Sequence, residues 1–477
     1  MGLLRDWHYI EKAVEIPALS ELIRDALIRA LFVRDDRVLP TELVADLNRT
    51  PPVTVKVKDD GEVRKLVRVL NGQESTLSLG LSAEDYHFFR TQLGVGRTRE
   101  FGVVVRPRTL LTYDWIVPEQ RGVQLDFTAY AGLEFSESGG HRAIAQVGAP
   151  WKSLYDSAMD TGHYVPFIPT VPLDFAIGDA LYGDAPFAAY RGEFASYLNA
   201  LRTVSAFGHR ARLGFEDVAN NGTAYDFLHT AIPLAAEFFI PVSVALRLEP
   251  KSAARKTLTY TYDDGAKLAA ALDKLSRSAQ VLDWVHITDS QASKALRPSA
   301  AAEAFTVQTA FGGTATSVAL KEKAIDTAMA GFKSKAADVP NPFDGPADAF
   351  RKTAETVGRS LFVGEVRVPA KSIGDLASRL RTFGDQVAAK AGLYASLRQT
   401  GTASVFPSFA SPRDRTKQHD LSKGVRMIVS KIPRGVFTSR LAHLWEDEPN
   451  FRRRMELLRS IKLTIDTAHV VQPLALP

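Results

Sequence analysis

The chain has 477 residues, 45% of them hydrophobic and 24% charged, with a formal net charge of +5. These proportions are ordinary for a globular protein and exclude a disordered or fibrous one, and the length predicts two or three domains with room for a ligand cleft between them. The absence of cysteine excludes disulfides, thiolate-held metals, Cys-ligated iron–sulfur clusters and any Cys nucleophile or Cys-linked flavin.

The mild positive charge is interspersed with acids, so no nucleic-acid partner is expected. No stretch approaches the roughly 20 apolar residues of a membrane-spanning helix. Met1-Gly2-Leu3-Leu4-Arg5-Asp6 carries acidic charge and lacks the apolar core of a secretory leader. Asp6 also stands where a myristoylation signal needs Ser or Thr. The expectation is a cytoplasmic protein, either free or membrane-peripheral.

In chain order, Ala13, Ile16, Leu19, Leu22, Ile23, Leu27 and Leu31 recur at helical spacing. Pro40 and Pro51-Pro52 interrupt, and alternation over Val53 to Val57 then predicts a strand leading into a helix over Glu62 to Leu70. Strands are predicted at Val103 to Val105, Val123 to Phe127 and Ile144 to Val147, with a helix over Trp151 to Met159. The Gly- and Pro-rich stretch from Gly162 to Gly192 carries Phe167, Ile168, Phe175, Ile177 and Tyr190, which predicts ordered loops rather than a linker.

Further on, a strand over Leu258 to Tyr262, a helix over Ala266 to Leu275 and a strand over Val281 to Ile287 form one unit. Leu361 to Val368, Ile373 to Phe383 and Tyr394 onward repeat that order. Two such units predict an antiparallel sheet covered by helices on one face. Ala336 to Asp348 reads as a loop between them, and Phe451 to Leu463 as an amphipathic basic helix. Arg452-Arg453-Arg454 reads as a solvated face of that helix or as a contact for a partner or membrane surface.

One constellation is specific enough to compare with a family. It runs Gln146-Val147-Gly148-Ala149-Pro150-Trp151, then Gly162, Pro166 and Pro169, then Ile177-Gly178-Asp179-Ala180, then Tyr190-Arg191-Gly192-Glu193-Phe194. Val204, Gly208, Tyr225-Asp226 and Leu246-Arg247-Leu248-Glu249-Pro250 follow. Its order and spacing resemble the FAD domain of the FAD-linked oxidases, the p-cresol methylhydroxylase and vanillyl-alcohol oxidase type. Gly364-Glu365-Val366-Arg367-Val368-Pro369, and Ile461-Lys462 with Asp466 and Pro473, resemble the cap strand and closing tail of the glycolate oxidase and D-lactate dehydrogenase branch.

The resemblance implies an α+β fold: a two-part FAD-binding domain and an α+β cap domain with an antiparallel sheet. It places the FAD-binding domain at residues 1–250, with subdomains near 45–125 and 126–250. The cap follows at 251–430, and a C-terminal segment, 431–477, returns to the FAD domain. It implies FAD as cofactor, with contacts from Gly80, Leu81, Ser82, Gly148, Pro169, Ile177, Gly178, Asp179, Ala180, Tyr190, Arg191, Gly192 and Ile240. In such loops, backbone N–H groups turn toward the pyrophosphate, and close approach favours residues without a Cβ.

By that standard the chain departs from the family pattern. The first loop reads Leu77-Ser78-Leu79-Gly80-Leu81-Ser82 where the family writes a run of glycines. Asp179 replaces the second loop's glycine, and a carboxylate near a pyrophosphate is unfavourable unless it points away. The third segment, Leu234-Ala235-Ala236-Glu237-Phe238-Phe239, has Ala236 and Phe239 in place of glycines. Where relatives place a histidine pair, the chain has Phe406-Pro407-Ser408-Phe409, with His419 alone, so no metal is expected.

Two function classes follow. The resemblance implies an FAD-dependent oxidoreductase acting on the CH–OH group of a 2-hydroxy acid or similar alcohol, which passes electrons on to a quinone, a protein or oxygen. His443 then reads as proton acceptor, and Arg440 or Arg434 as the partner of a substrate carboxylate. Read alone, His443 is an ordinary helix histidine. The altered glycine loops imply the other class, a flavin-poor paralogue serving as partner subunit or binding protein, since a fold does not fix a function. Either could be a homo-oligomer or a subunit of a complex.

Overall fold

The computed structural model describes residues 38–40, 53–70, 102–106, 122–136, 141–169, 173, 175–178, 181, 187–192, 194–216, 239–278, 282–296, 304–330, 360–410 and 415–438. The helix expected over the first forty residues, the loop over Ala336 to Asp348 and the basic helix over Phe451 to Leu463 lie outside them.

Among the described residues, the N-terminal half carries two larger sheets and two short two-stranded pairs. The first has the order β1-β2-β4-β3, with β1 at Val38–Pro40, β2 at Val53–Lys56, β3 at Gly102–Arg106 and β4 at Gly122–Asp126. Strands β2 and β3 both run parallel to β4. Helix α1, Asp60–Leu70, begins where the Asp59 carboxylate accepts the Glu62 N–H (2.9 Å) and Glu62 reaches back to the Lys58 N–H (2.9 Å). This reciprocal capping satisfies two amides that the first turn cannot bond internally.

The second sheet, β11-β10-β12-β6-β5, is antiparallel throughout. Its strands are β5 (Leu133–Phe135), β6 (Arg142–Gln146), β10 (Leu198–Ser205), β11 (Arg210–Gly214) and β12 (Phe239–Arg247). β12 is buried along nearly its whole length, which is why it reads as a continuous apolar run rather than an alternating one. Arg64 donates to the Gly208 carbonyl in the β10–β11 turn (2.9 Å), tying α1 to this sheet. Gly208 has φ +72°, and a Cβ there would lie 2.4 Å from Arg68 Cγ. Helix α2, Trp151–Asp160, buries Trp151, Leu154 and Ala158 against the same core.

The cap is one antiparallel sheet, in the order β14-β16-β15-β19-β20-β18-β21. Its strands are β14 (Ala254–Tyr262), β15 (Trp284–Asp289), β16 (Phe305–Gly313), β18 (Glu365–Pro369), β19 (Lys390–Leu397), β20 (Thr402–Ala410) and β21 (Val436–Thr438). A short β17 (Ser360–Phe362) also pairs with β20. The two expected strand–helix–strand units are present: α3 (Gly265–Arg277) joins β14 to β15, and α6 (Ile373–Gln386) joins β18 to β19.

In each unit the following strand, β16 or β20, inserts between the first two. The sheet is therefore two mirrored triplets meeting at β15 and β19. Gly265 and Gly374 let α3 and α6 touch, for a Cβ on Gly374 would lie 2.2 Å from the Gly265 carbonyl oxygen. Asp264 caps α3 by accepting from Ala266 N–H (2.6 Å) and Lys267 N–H (2.9 Å). Strand β21 pairs with β18, so the segment expected to return to the FAD domain from residue 431 begins inside the cap sheet. Helices α4 (Ser290–Leu296), α5 (Ala315–Ala330) and α7 (Arg415–Val429) complete the cap.

Both faces of this sheet are buried, against different neighbours. Tyr260, Val285, Ile287, Val307, Phe311, Leu393, Val405 and Phe409 point outward into a core shared with α3, α5, α6 and α7. On the inner face, Tyr394, Phe406 and Phe362 join the core of the N-terminal half, while Trp284 and Ala310 pack on Ile168.

Candidate active site

The inner face holds a row of polar side chains fixed by strand register. Thr259 faces Gln308, Gln308 faces His286, His286 faces Ser396, Ser396 faces Ser404 and Ser404 faces Arg367. Paired residues share a face, so the row crosses six strands on the side turned toward the N-terminal half. Gln308, His286, Ser396 and Ser404 are all buried. Thr288 and Tyr394 form the next rank, and Thr288 is satisfied by Ser293 Oγ at 2.7 Å.

Gln308 Nε2, Ser396 Oγ and the Tyr394 hydroxyl have no hydrogen-bond partner among the described residues. Buried polar groups are nearly always bonded, and an orphaned one costs about 1–3 kcal/mol. These three lie together on one sheet face, whereas those of Tyr197, Ser243, Thr309 and Ser422 lie elsewhere in the fold. Burial, with Asp289 nearby, holds the Tyr394 phenol well above its ordinary range, so it remains a donor.

At the β18 end, Glu365 accepts from Arg367 (3.0 Å) and Arg398 (3.3 Å), and Arg398 also donates to Ser404 Oγ (2.6 Å). Burial pushes the Glu365 carboxyl up, but the two guanidinium groups outweigh it and hold it below the usual carboxylate range. Arg398 is thus a cation fixed beside the row.

The segments expected to face a flavin reach this seam from the other side. Strand β8 (Ile168–Pro169), which contains Pro169, pairs with β9 (Phe187–Ala188), and β9 packs against β15 and β19. The Tyr190 N–H donates to the Asp283 carbonyl (3.0 Å), and the Tyr190 carbonyl accepts from the Gln399 N–H (2.8 Å). Tyr190 therefore packs in the cap core although its chain neighbours belong to the N-terminal half. Arg191 pairs with Glu249 at 2.9 Å, and Gly192 sits close under Ser196.

Gly148, Ile177 and Gly178 form a braced turn. Gly148 N–H donates to the Tyr130 carbonyl (3.0 Å), Ile177 N–H to that of Ala149 (2.8 Å) and Gly178 N–H to that of Val147 (2.9 Å). A Cβ on Gly148 would lie 1.8 Å from the Phe127 carbonyl oxygen, so chain crossing alone requires glycine there. These amides are spent within the protein and build the frame of a loop. Ile240 is likewise a core residue, opposite Val204 on β10.

Arg434 is exposed, with φ +61°, in the turn between α7 and β21, two residues before Val436, which pairs with Arg367 at the end of the polar row. Gly80, Leu81, Ser82, Asp179, Ala180, Arg440 and His443 lie outside the described residues. Among the described residues no group of three His, Asp or Glu could hold a metal ion, and no helix is long and apolar enough to cross a membrane.

Sequence reasoning passed over Gln308, His286, Ser396 and Ser404. The available signal was polar residues at alternate positions in otherwise apolar strands, as in Trp284-Val285-His286-Ile287-Thr288. Such alternation normally marks a solvated face, and here that face is buried.

No protein-family model matches the chain, and no curated protein matches it in sequence. Solved structures do match. A 4-ethylphenol oxidase from Gulosibacter chungangensis, in complex with isoeugenol, aligns with TM-score 0.67 at 10% identity, covering 94% of this chain and 96% of that one. A substrate-bound p-cresol methylhydroxylase gives 0.65 at 14%, with the same coverage of 94% and 96%. An alkyldihydroxyacetonephosphate synthase gives 0.62 at 14%, covering 95% of this chain and 85% of that one. The chain has the two-domain fold of the p-cresol methylhydroxylase type of FAD-linked oxidases, the fold its sequence resembles.

Proposed function

We propose that the protein is an FAD-dependent oxidoreductase that oxidises a 2-hydroxy acid or similar alcohol bound between the inner face of the cap sheet and the N-terminal half. The observation that carries this reading is the buried polar row with three unpartnered polar atoms, on the sheet face turned toward the other domain. An amide, an imidazole and hydroxyls are the donor set that suits a polar ring system and a hydroxylated substrate stacked on it. Bound flavin would supply the two-electron acceptor.

Gln308 and Ser396 would orient the substrate's polar groups, with Tyr394 as a further donor from the next rank. Arg398, held by Glu365 and Ser404, would meet a carboxylate at the β18 end of the row. His286, in the middle of the row, is the described group suited to take the hydroxyl proton, and His443 with Arg440 or Arg434 remains the alternative from the sequence. Pro169 and Tyr190 to Gly192 would close the flavin side, with Leu77 to Ser82 and Asp179-Ala180 left to approach the pyrophosphate.

A second reading, a flavin-poor binding subunit, is favoured by one observation. The N–H groups of Gly148, Ile177, Gly178 and Tyr190 are already bonded within the protein. Anaerobic mixing of the FAD-loaded protein with a panel of 2-hydroxy acids and neutral alcohols tests between them. Bleaching of the flavin bands by a panel member supports the oxidoreductase, and loss of that bleaching in Gln308→Ala ties it to the row. A protein that retains FAD but is bleached by no member contradicts the substrate reading.

A further inference from the structure

A second polar cluster lies where the cap meets the N-terminal half, apart from the row. Tyr164, on β7 (His163–Tyr164), brings its hydroxyl to Glu249 Oε2 at 2.9 Å and Asp283 Oδ1 at 3.0 Å. Glu249 lies on β13 (Glu249–Pro250), which pairs with β7, whereas Asp283 immediately precedes β15 in the cap. Arg255, on β14, donates to the other Asp283 oxygen (3.2 Å) and lies 4.0 Å over the Tyr164 ring. Arg191 binds the other Glu249 oxygen (2.9 Å).

Two guanidinium groups and two carboxylates thus surround one tyrosine, with the members divided between the domains. Burial and the two carboxylates push the Tyr164 hydroxyl far up, so it remains a hydrogen-bond donor. Burial also pushes the Asp283 carboxyl up while Arg255 draws it back. Asp283 has a second task, because its backbone carbonyl receives the Tyr190 N–H. The side chain that binds Tyr164 and the carbonyl that seats Tyr190 therefore belong to one residue.

We infer that Tyr164, Glu249, Asp283 and Arg255 form a clasp that seats the cap on the Tyr190–Gly192 step, making Tyr164 and Asp283 positioning residues for the seam. In its bearing on flavin the inference rests on the reading above. Neither side chain is assigned a contact with flavin or substrate in that reading, and both act through the backbone of Tyr190. Loss of the Tyr164 hydroxyl loosens the Asp283 carboxylate, and with it the carbonyl that holds Tyr190 between Asp283 and Gln399.

Hydrogen exchange on the full chain, with and without FAD, tests this in Tyr164→Phe, Asp283→Ala and Asp283→Asn. Amides at Tyr190 and Gln399 are expected to exchange about five- to tenfold faster in Tyr164→Phe and Asp283→Ala, with β10 unchanged. Asparagine keeps an acceptor for the Tyr164 hydroxyl, so Asp283→Asn should recover most of the protection. The FAD dissociation constant should rise about tenfold in the first two variants and less in the third. Unchanged exchange at Tyr190 and Gln399 in Tyr164→Phe overturns the clasp. Faster exchange with unchanged FAD affinity overturns the positioning role. A wild-type protein that takes up no FAD overturns the flavin reading instead, and the exchange result alone then decides the clasp.

Discussion

The two faces of the cap sheet are made from the same strands and are both buried, yet they differ in composition. The outer face is mainly apolar and closed by helices, with Thr309 as a buried hydroxyl among the aliphatic and aromatic side chains, so it stabilises the fold largely by taking apolar surface out of water. The inner face puts an amide, an imidazole and hydroxyls against the other domain and leaves three of their atoms without partners. A protein selected for stability alone would not keep those groups, because each costs free energy until something binds it. Burial alone therefore does not identify a core, and the difference between the faces is that, among the described residues, the orphaned atoms cluster on the inner one, whereas Thr309 Oγ1 stands singly on the outer.

The largest expected effect breaks the outer face. Phe409→Ala removes a fully buried ring that packs edge-on to Phe383. It should destabilise the fold by about 3–5 kcal/mol in urea or guanidinium titrations. The inner-face counterpart, Gln308→Leu, keeps a similar volume and removes an amide with an unbonded nitrogen. Its stability should stay within about 1 kcal/mol of wild type or rise, while turnover of the substrate identified by bleaching should fall at least tenfold. Equal stability losses in the two variants would erase the distinction between the faces.

Glu365 sharpens the comparison by pH. Its carboxyl is held below the usual range, so its contribution to stability is present above the unfolded-state value of about 4.3 and is lost as pH falls through the depressed folded value. Glu365→Gln should therefore cost about 3 kcal/mol at neutral pH. The gap from wild type should close in the acid limb of a pH–stability profile; a gap independent of pH contradicts the assignment of charge. The smallest effect is expected at Arg434. Arg434→Gly relieves a positive φ at an exposed turn and should stabilise by roughly 0.5–1 kcal/mol in the same urea or guanidinium titrations.

Much of the outer face was legible in the sequence. The strand over Leu258 to Tyr262 and the helix over Ala266 to Leu275 rest on local residue patterns, and both are present. The resemblance from Gln146 to Pro250 pointed to the fold. The polar row was not legible, because it exists only after β15, β16, β19 and β20 have been put in register. That register joins residues distant along the chain, and a polar residue in a strand reads by itself as solvated. The N–H groups of Gly148, Ile177 and Gly178 are taken by the carbonyls of Tyr130, Ala149 and Val147, a pairing no spacing reveals.

On the proposed reading this fold, with its altered glycine loops and its polar inner face, still takes a flavin at the seam. The most direct test is a titration of the purified protein with FAD, followed by visible absorption after removal of free cofactor. A retained, saturable two-band flavin spectrum at one FAD per chain is expected. A protein that stays colourless at saturating FAD contradicts the reading and makes the inner face the binding surface of a flavin-free subunit.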